Sequence, residues 1–185
     1  MKHKILLLGA STGGPSQIKE ILSEITSLSS TVIIVQHMKE EVLPLYIKDL
    51  SESTRVEIQT TPLVIDFSKP SVIVCSGSSS LIKNSDGVFE IVSDKENQNY
   101  TPDINKFFKS FEIYANEFDI SIVIMTGIGR DGVDGAITLK QKGARVVAQD
   151  EDSCAVYGMP KAAQESGIVD SVKTLDEIKK CFRNL

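Results

Sequence analysis

The sequence predicts an α/β fold: a single doubly wound domain with a mainly parallel sheet, helices on both faces and a small β-hairpin. Two observations lead there. Apolar runs of four or five residues alternate along the chain with segments of helical period. The runs are apolar at every position instead of every second one, so both strand faces are buried, as in a parallel sheet covered by helices. A chain of 185 residues is the size of one domain. It buries about 70% of its extended surface, enough for a core without crosslinks or metals.

The run at residues 5–8 is the first buried strand, and a glycine-rich turn follows it. Ile18, Ile21, Leu22 and Ile25 recur at helical spacing. They predict a helix over residues 15–27, with Pro15 in the first turn, where its missing N–H is tolerated. A second strand is expected at 32–35 and a helix at 40–53, despite Pro44 near its start. Residues 56–59 and 72–75 read as two more strands, and 80–92 as a hairpin turning at Ser85-Asp86-Gly87. One long helix is expected over 103–118. Its apolar face carries Ile104, Phe107, Phe108, Phe111, Ala115 and Phe118, aromatics that read as core. A buried strand at 121–125 leads into a loop at 126–132, a helix to Lys142 and a strand at 144–148. Thr174 and Glu177 have the spacing of a capping box, which opens a last helix. There is no internal repeat, low-complexity run or linker.

Composition removes several function classes. A formal net charge of −5 disfavours a nucleic-acid partner, because phosphate binding needs a basic face. No stretch of 18 or more apolar residues exists, so no membrane insertion is expected. The chain start resembles an export signal, but its apolar part, residues 5–8, is shorter than the roughly 7–15 residues such a signal needs. Cys75, Cys154 and Cys181 are odd in number and widely spaced, which fits neither a disulfide framework nor a zinc pattern. Two histidines argue against a multi-histidine metal site. A reducing cytoplasm is the expected compartment, and nothing in the sequence sets an oligomeric state.

Three polar loops follow three buried strands: Gly9-Ala-Ser11-Thr-Gly13-Gly14, Gln36-His37-Met38, and Thr126-Gly-Ile-Gly-Arg-Asp131-Gly132. If the strands are parallel, all three lie on one sheet edge, where such folds bind ligands. Ser11, His37 and Asp131 then converge. The residue types suit nucleophilic hydrolysis, in which a serine hydroxyl needs a base and the base an orienting carboxylate. His3 is the poorer base, since the strand between it and Ser11 sets them about 26 Å apart on opposite edges. The glycines around Ser11 permit a tight strand-to-helix turn whose free amides face a developing oxyanion. Each residue also has a plain reading: Ser11 as a cap or phosphate cradle, His37 as structural, Asp131 as a helix cap.

At these residues the chain resembles the catalytic domain of the chemotaxis protein-glutamate methylesterases, the CheB family. The matching stretches are GASTGGP at residues 9–15, VQHM at 35–38, MTGIGRDGVDGA at 125–136 and AQDEDSCAVYGMPKAA at 148–163. The resemblance implies a Ser11-His37-Asp131 triad, with Thr12 shaping the site and the loop at Ile128 and Gly129 supplying an oxyanion amide. It implies hydrolysis of glutamate methyl esters, with deamidation of receptor glutamines, on methylated chemoreceptor signalling helices, and it needs no metal or cofactor.

The departures from the family pattern are specific. Members usually have methionine where Ile128 stands, and charged residues where Thr101 and Asn105 stand. Around residues 75–81 the usual Pro and His are missing. Most members carry a phosphorylation-controlled receiver domain; with the first strand at residue 5, residues 1–185 read as a methylesterase domain alone. These changes leave room for an impaired receptor-binding regulator. A nucleotide-cofactor enzyme is a further alternative, because Gly127 to Gly132 matches GxGxxG, Asp150 ends the next strand, and Tyr157 and Lys161 mimic a YxxxK pair. Asp131 in that turn would face a pyrophosphate, and Pro160 would disturb the helix presenting the pair. Cys154 as nucleophile has no histidine near it in sequence. Arg130 reads as a solvated loop residue, with acidic receptor surface as its other possible contact.

Overall fold

The computed structural model describes residues 2–94 and 102–183. Seven strands form one sheet: β1 (His3–Ala10), β2 (Thr31–Gln36), β3 (Ile58–Thr60), β5 (Val72–Val74), β8 (Phe118–Ile124), β9 (Arg145–Gln149) and β10 (Ser171–Lys173). Their order is β10-β9-β8-β1-β2-β5-β3, and every neighbouring pair is parallel. A small antiparallel sheet holds β4 (Leu63–Ile65), β7 (Phe89–Asp94) and β6 (Ser78–Lys83), in that order.

Strand residues alternate between two cores. Leu6, Leu8, Val32 and Ile34 pack with α1 (Gly14–Ser23), α2 (Leu43–Ser53) and α6 (Leu175–Arg183). Ile5, Leu7, Ile33 and Val35 face α3 (Ile104–Lys109), α4 (Val133–Gln141) and α5 (Met159–Glu165). The uninterrupted apolar runs are therefore strands buried on both sides, and the doubly wound architecture is the one the sequence predicts. The capping box is formed, with Thr174 N–H donating to Glu177 Oε2 (2.8 Å) and Glu177 N–H to Thr174 Oγ1 (3.2 Å).

Several boundaries differ from the sequence reading. The helix expected from residue 40 starts at Leu43, which puts Pro44 in its first turn, where proline is tolerated. The expected helix 103–118 is α3 followed by a 3₁₀ helix, Glu112–Glu117, and Phe118 already belongs to β8. Three contacts account for the break. Ser110 Oγ donates to the Phe107 carbonyl and accepts from the Leu81 amide, and Phe118 pairs with His3 of β1. Sheet pairing overrides the helical stripe, although all six of its apolar residues are buried as expected. The hairpin is present; Asn84 Oδ1 accepts from the Asp86 and Val88 amides at its turn. Strands β4 and β10 and helix α5 are additional to the reading. Among the described residues, no helix is long and apolar enough to cross a membrane.

Candidate active site

The chain passes from β1 to β2 on one side, while β8, β9 and β10 lie on the other, so strand order reverses at β1. Crevices at such reversals open at the carboxyl ends of the strands. Parallel register there sets Ala10 beside Gln36, and one residue further on Ser11 stands beside His37. Two main-chain bonds extend the ladder past the strand ends: His37 N–H to the Ala10 carbonyl (3.0 Å) and Ser11 N–H to the Thr126 carbonyl (2.9 Å). Gly13 turns the chain into α1 at φ 83°, which favours glycine, and a Cβ there would meet Ala155 Cβ at 2.4 Å.

The imidazole of His37 bridges the other two side chains. Its Nδ1 lies 3.1 Å from Ser11 Oγ and its Nε2 2.7 Å from Asp131 Oδ2. A carboxylate only accepts, so Nε2 carries the proton and the Nδ1 lone pair faces the serine hydroxyl. The His37 and Asp131 side chains are 11% and 6% exposed, which shields their pairing from solvent.

Asp131 reaches this position because backbone donors converge on it. Ile104 N–H donates to Oδ2 (2.8 Å), while Asn105 N–H (3.0 Å) and Gly132 N–H (2.9 Å) donate to Oδ1. Burial pushes the carboxyl pKa up, but hydrogen bonds from His37, Ile104 and Asn105 outweigh it and hold Asp131 below the usual carboxylate range. A carboxyl with a depressed folded pKa contributes stability that is present above its unfolded value, about 3.9, and lost as pH falls through the folded value. The stability difference between wild type and Asp131→Asn, measured by urea unfolding, is therefore expected to stay level from pH 7 to about 5 and to shrink below about 4.

The other predicted residues surround this trio. The Thr12 carbonyl accepts from Thr126 Oγ1 (2.8 Å), and the Thr12 side chain is exposed. Ile128 is 64% exposed on the loop after β8. That loop is pinned by Gly127, whose carbonyl accepts from the Gly158 (3.1 Å) and Met159 (2.9 Å) amides. Among the described residues, the Thr12 and Gly129 amides have no hydrogen-bond partner. A Cβ on Gly127 would lie 2.4 Å from Met159 Sδ and 2.7 Å from Ser11 Cβ. Gly127→Ala is expected to destabilise the fold by about 1–3 kcal/mol and to slow labelling of Ser11 by a fluorophosphonate. Urea unfolding and the labelling rate check both effects.

Asn105 keeps a structural job: its Oδ1 accepts from the Gly135 amide (2.9 Å) and so ties α3 to α4. Thr101 lies outside the described residues. Residues 75–81 leave the parallel sheet for β6, with Cys75 buried and Ser76 and Ser79 bonded to Thr61. Asp150 is not on His37; its carboxylate binds the Ser153 amide and hydroxyl. Arg130 pairs with Asp134 (2.7 Å). Tyr157 precedes α5 and binds Gln164, whereas Lys161 lies in α5 beside Glu165, with Pro160 at the helix start. Burial and the charges of Asp150 and Glu151 push the Cys154 thiol up to about 12, which keeps it a poor nucleophile at neutral pH. Among the described residues, no group of three or more His, Cys, Asp or Glu could hold a metal ion.

Sequence reasoning passed over three supporting side chains. Gln36 bonds two site carbonyls, Thr126 Oγ1 links the Thr12 and Val156 main chains, and Gln149 Oε1 accepts the Thr126 amide (3.0 Å). A signal was present for each: a polar residue directly after a wholly apolar run.

The fold agrees with that of a known protein. A crystal structure of the Thermotoga maritima CheB methylesterase catalytic domain superimposes with a TM-score of 0.86 at 26% identity, covering 100% of this chain and 99% of that one. Protein-glutamate methylesterase/protein-glutamine glutaminase 1 of Saccharophagus degradans is 34% identical over 177 residues, 95% of this chain and 48% of the relative. The protein-glutamate methylesterase/protein-glutamine glutaminase of Lawsonia intracellularis is 33% identical over 181 residues, 96% of this chain and 50% of the relative. The chain thus spans about half the length of the curated relatives it matches. The model of the CheB methylesterase family matches residues 6–182, and the chain belongs to that family.

Proposed function

We propose that this chain is a serine hydrolase that removes methyl esters from glutamate side chains of chemoreceptor signalling helices, with Ser11 as nucleophile, His37 as base and Asp131 as orienting acid. The observation that carries the reading is the imidazole bridging Ser11 Oγ and the Asp131 carboxylate. Ser11 Oγ attacks the ester carbonyl carbon as His37 Nδ1 takes its proton, and Asp131 stabilises the imidazolium. The tetrahedral oxyanion lies among the Thr12 amide and the amides of the Ile128–Gly129 loop, one such donor contributing about 2.7–4 kcal/mol. His37 then gives its proton to the leaving methoxide, and methanol departs. Water attacks the acyl-enzyme with His37 again as base, which releases glutamate and restores Ser11. A receptor glutamine follows the same route and releases ammonia.

The partner on this reading is the methylated receptor helix, met in the cytoplasm, and no metal or cofactor takes part. The unbroken hydrogen-bonded chain from Ser11 Oγ through His37 to Asp131 favours an active enzyme over an impaired regulator. The test is methanol release from methylated receptor membranes by the purified chain. Release above spontaneous hydrolysis is expected; none at any enzyme concentration, with the chain folded, ends the reading.

A further inference from the structure

Gln36 closes β2, a strand otherwise made of Thr31 and four aliphatic residues, and is itself 3% exposed. Its Nε2 donates one N–H to the Ser11 carbonyl and the other to the His37 carbonyl, both at 2.9 Å. Its Oε1 is buried with no hydrogen-bond partner among the described residues, and a Cβ at Gly14 would lie 2.0 Å from it. A buried amide with one end unsatisfied disfavours folding, and an apolar residue in this strand would avoid that penalty. The same amide joins the main chains of the two residues whose side chains must meet.

We propose that Gln36 is a positioning residue that fixes the nucleophile and base backbones to each other, its amide bridging the carbonyls of Ser11 and His37. The inference rests on the reading of Ser11 as nucleophile and His37 as base. The Ser11 turn is held on its N-terminal side by the Thr126 carbonyl. On its C-terminal side stand Thr12, whose side chain is exposed, and two glycines, and among the described residues the Gly14 amide is the one donor within the turn that restrains the Ser11 carbonyl. Gln36 supplies the tie across to β2. Gly14 is correspondingly small, because a methyl group there would push the amide off both carbonyls.

The test compares wild type, Gln36→Met and Gln36→Glu in the full chain. It measures kcat and KM for methanol release from methylated receptor membranes, the rate of fluorophosphonate labelling, and Tm. Misplacing a reacting group by about 1 Å costs on the order of 100-fold. Gln36→Met, which keeps length but donates nothing, should therefore lower kcat roughly 10- to 100-fold, with KM within about twofold and labelling slowed in parallel. Gln36→Glu sets a carboxylate against two carbonyls at neutral pH, yet its protonated form donates one hydrogen bond. Its kcat relative to wild type should rise as pH falls from about 8 to 5, a profile that simple loss of packing does not give. Wild-type kcat in Gln36→Met overturns the inference. If that variant does not fold, a flat pH ratio in Gln36→Glu does so. A Ser11→Ala control separates the two levels. Background activity there with wild-type kcat in Gln36→Met removes only the role of Gln36, whereas full activity in Ser11→Ala removes the underlying reading.

Discussion

Replacing Ser11 by alanine is expected to cut methanol release from methylated receptor membranes on the order of 10⁶-fold in kcat. Alanine keeps Cβ and removes only Oγ, whose one hydrogen-bonded partner among the described residues is His37 Nδ1. Among the described residues, the other hydrogen bonds of Ser11 run through its main chain: the amide to Thr126, and the carbonyl from Gly14 and Gln36. Folding should therefore survive, with Tm within a few degrees of wild type. His37 and Asp131 would remain in place with nothing to activate. A folded Ser11→Ala protein that releases methanol at the wild-type rate would remove Ser11 from the reaction.

Asp131→Asn is expected to be the next most damaging change, lowering kcat by about 10⁴-fold. The wild-type carboxylate accepts four N–H groups, from His37, Ile104, Asn105 and Gly132. An asparagine has one acceptor oxygen and one NH₂ group. With NH₂ at the Oδ1 position it faces two fixed backbone donors, Asn105 and Gly132. With NH₂ at the Oδ2 position it faces one fixed donor, Ile104, and a ring nitrogen that can change tautomer. The second arrangement is the less costly. It moves the imidazole proton from Nε2 to Nδ1, where it points at Ser11 Oγ and leaves no lone pair to accept the serine proton. Asp150→Asn, whose carboxylate binds Ser153, should retain activity. Measuring both variants by methanol release decides between the acids; a loss confined to Asp150→Asn would reverse the assignment.

The parallel strands were legible because a strand buried on both faces must be apolar throughout, and residues 5–8, 32–35 and 122–125 announce themselves that way. Elements with weaker local demands were not. Strands β4 and β10 are three residues each and include exposed positions, Val64 at 65% and Val172 at 46%. Helix α5 starts at Met159 with Pro160 next to it, and its seven residues span too few turns to show a period. The 103–118 stripe misled for the opposite reason. Its helical spacing is real and its residues are core, but pairing of Phe118 with His3 pulls its end into the sheet.

The site divides in the same way. By itself the sequence determined the buried strands β1, β2 and β8, the polar turns after them, and so the edge at which Ser11, His37 and Asp131 gather. These follow from local burial patterns and from the rule that parallel strands all end on one side. Only the tertiary structure decided the contacts between them: which nitrogen of His37 faces Ser11, that Asp131 rather than Asp150 lies on the imidazole with the Ile104 and Asn105 amides around it, and that Gln36 and Thr126 brace the nucleophile from β2 and β8. Hydrogen bonds between residues 25 or more positions apart depend on angles and distances of a few tenths of an ångström. Residue type and spacing carry no such information; it arises when the sheet register and the packed helices fix the backbone.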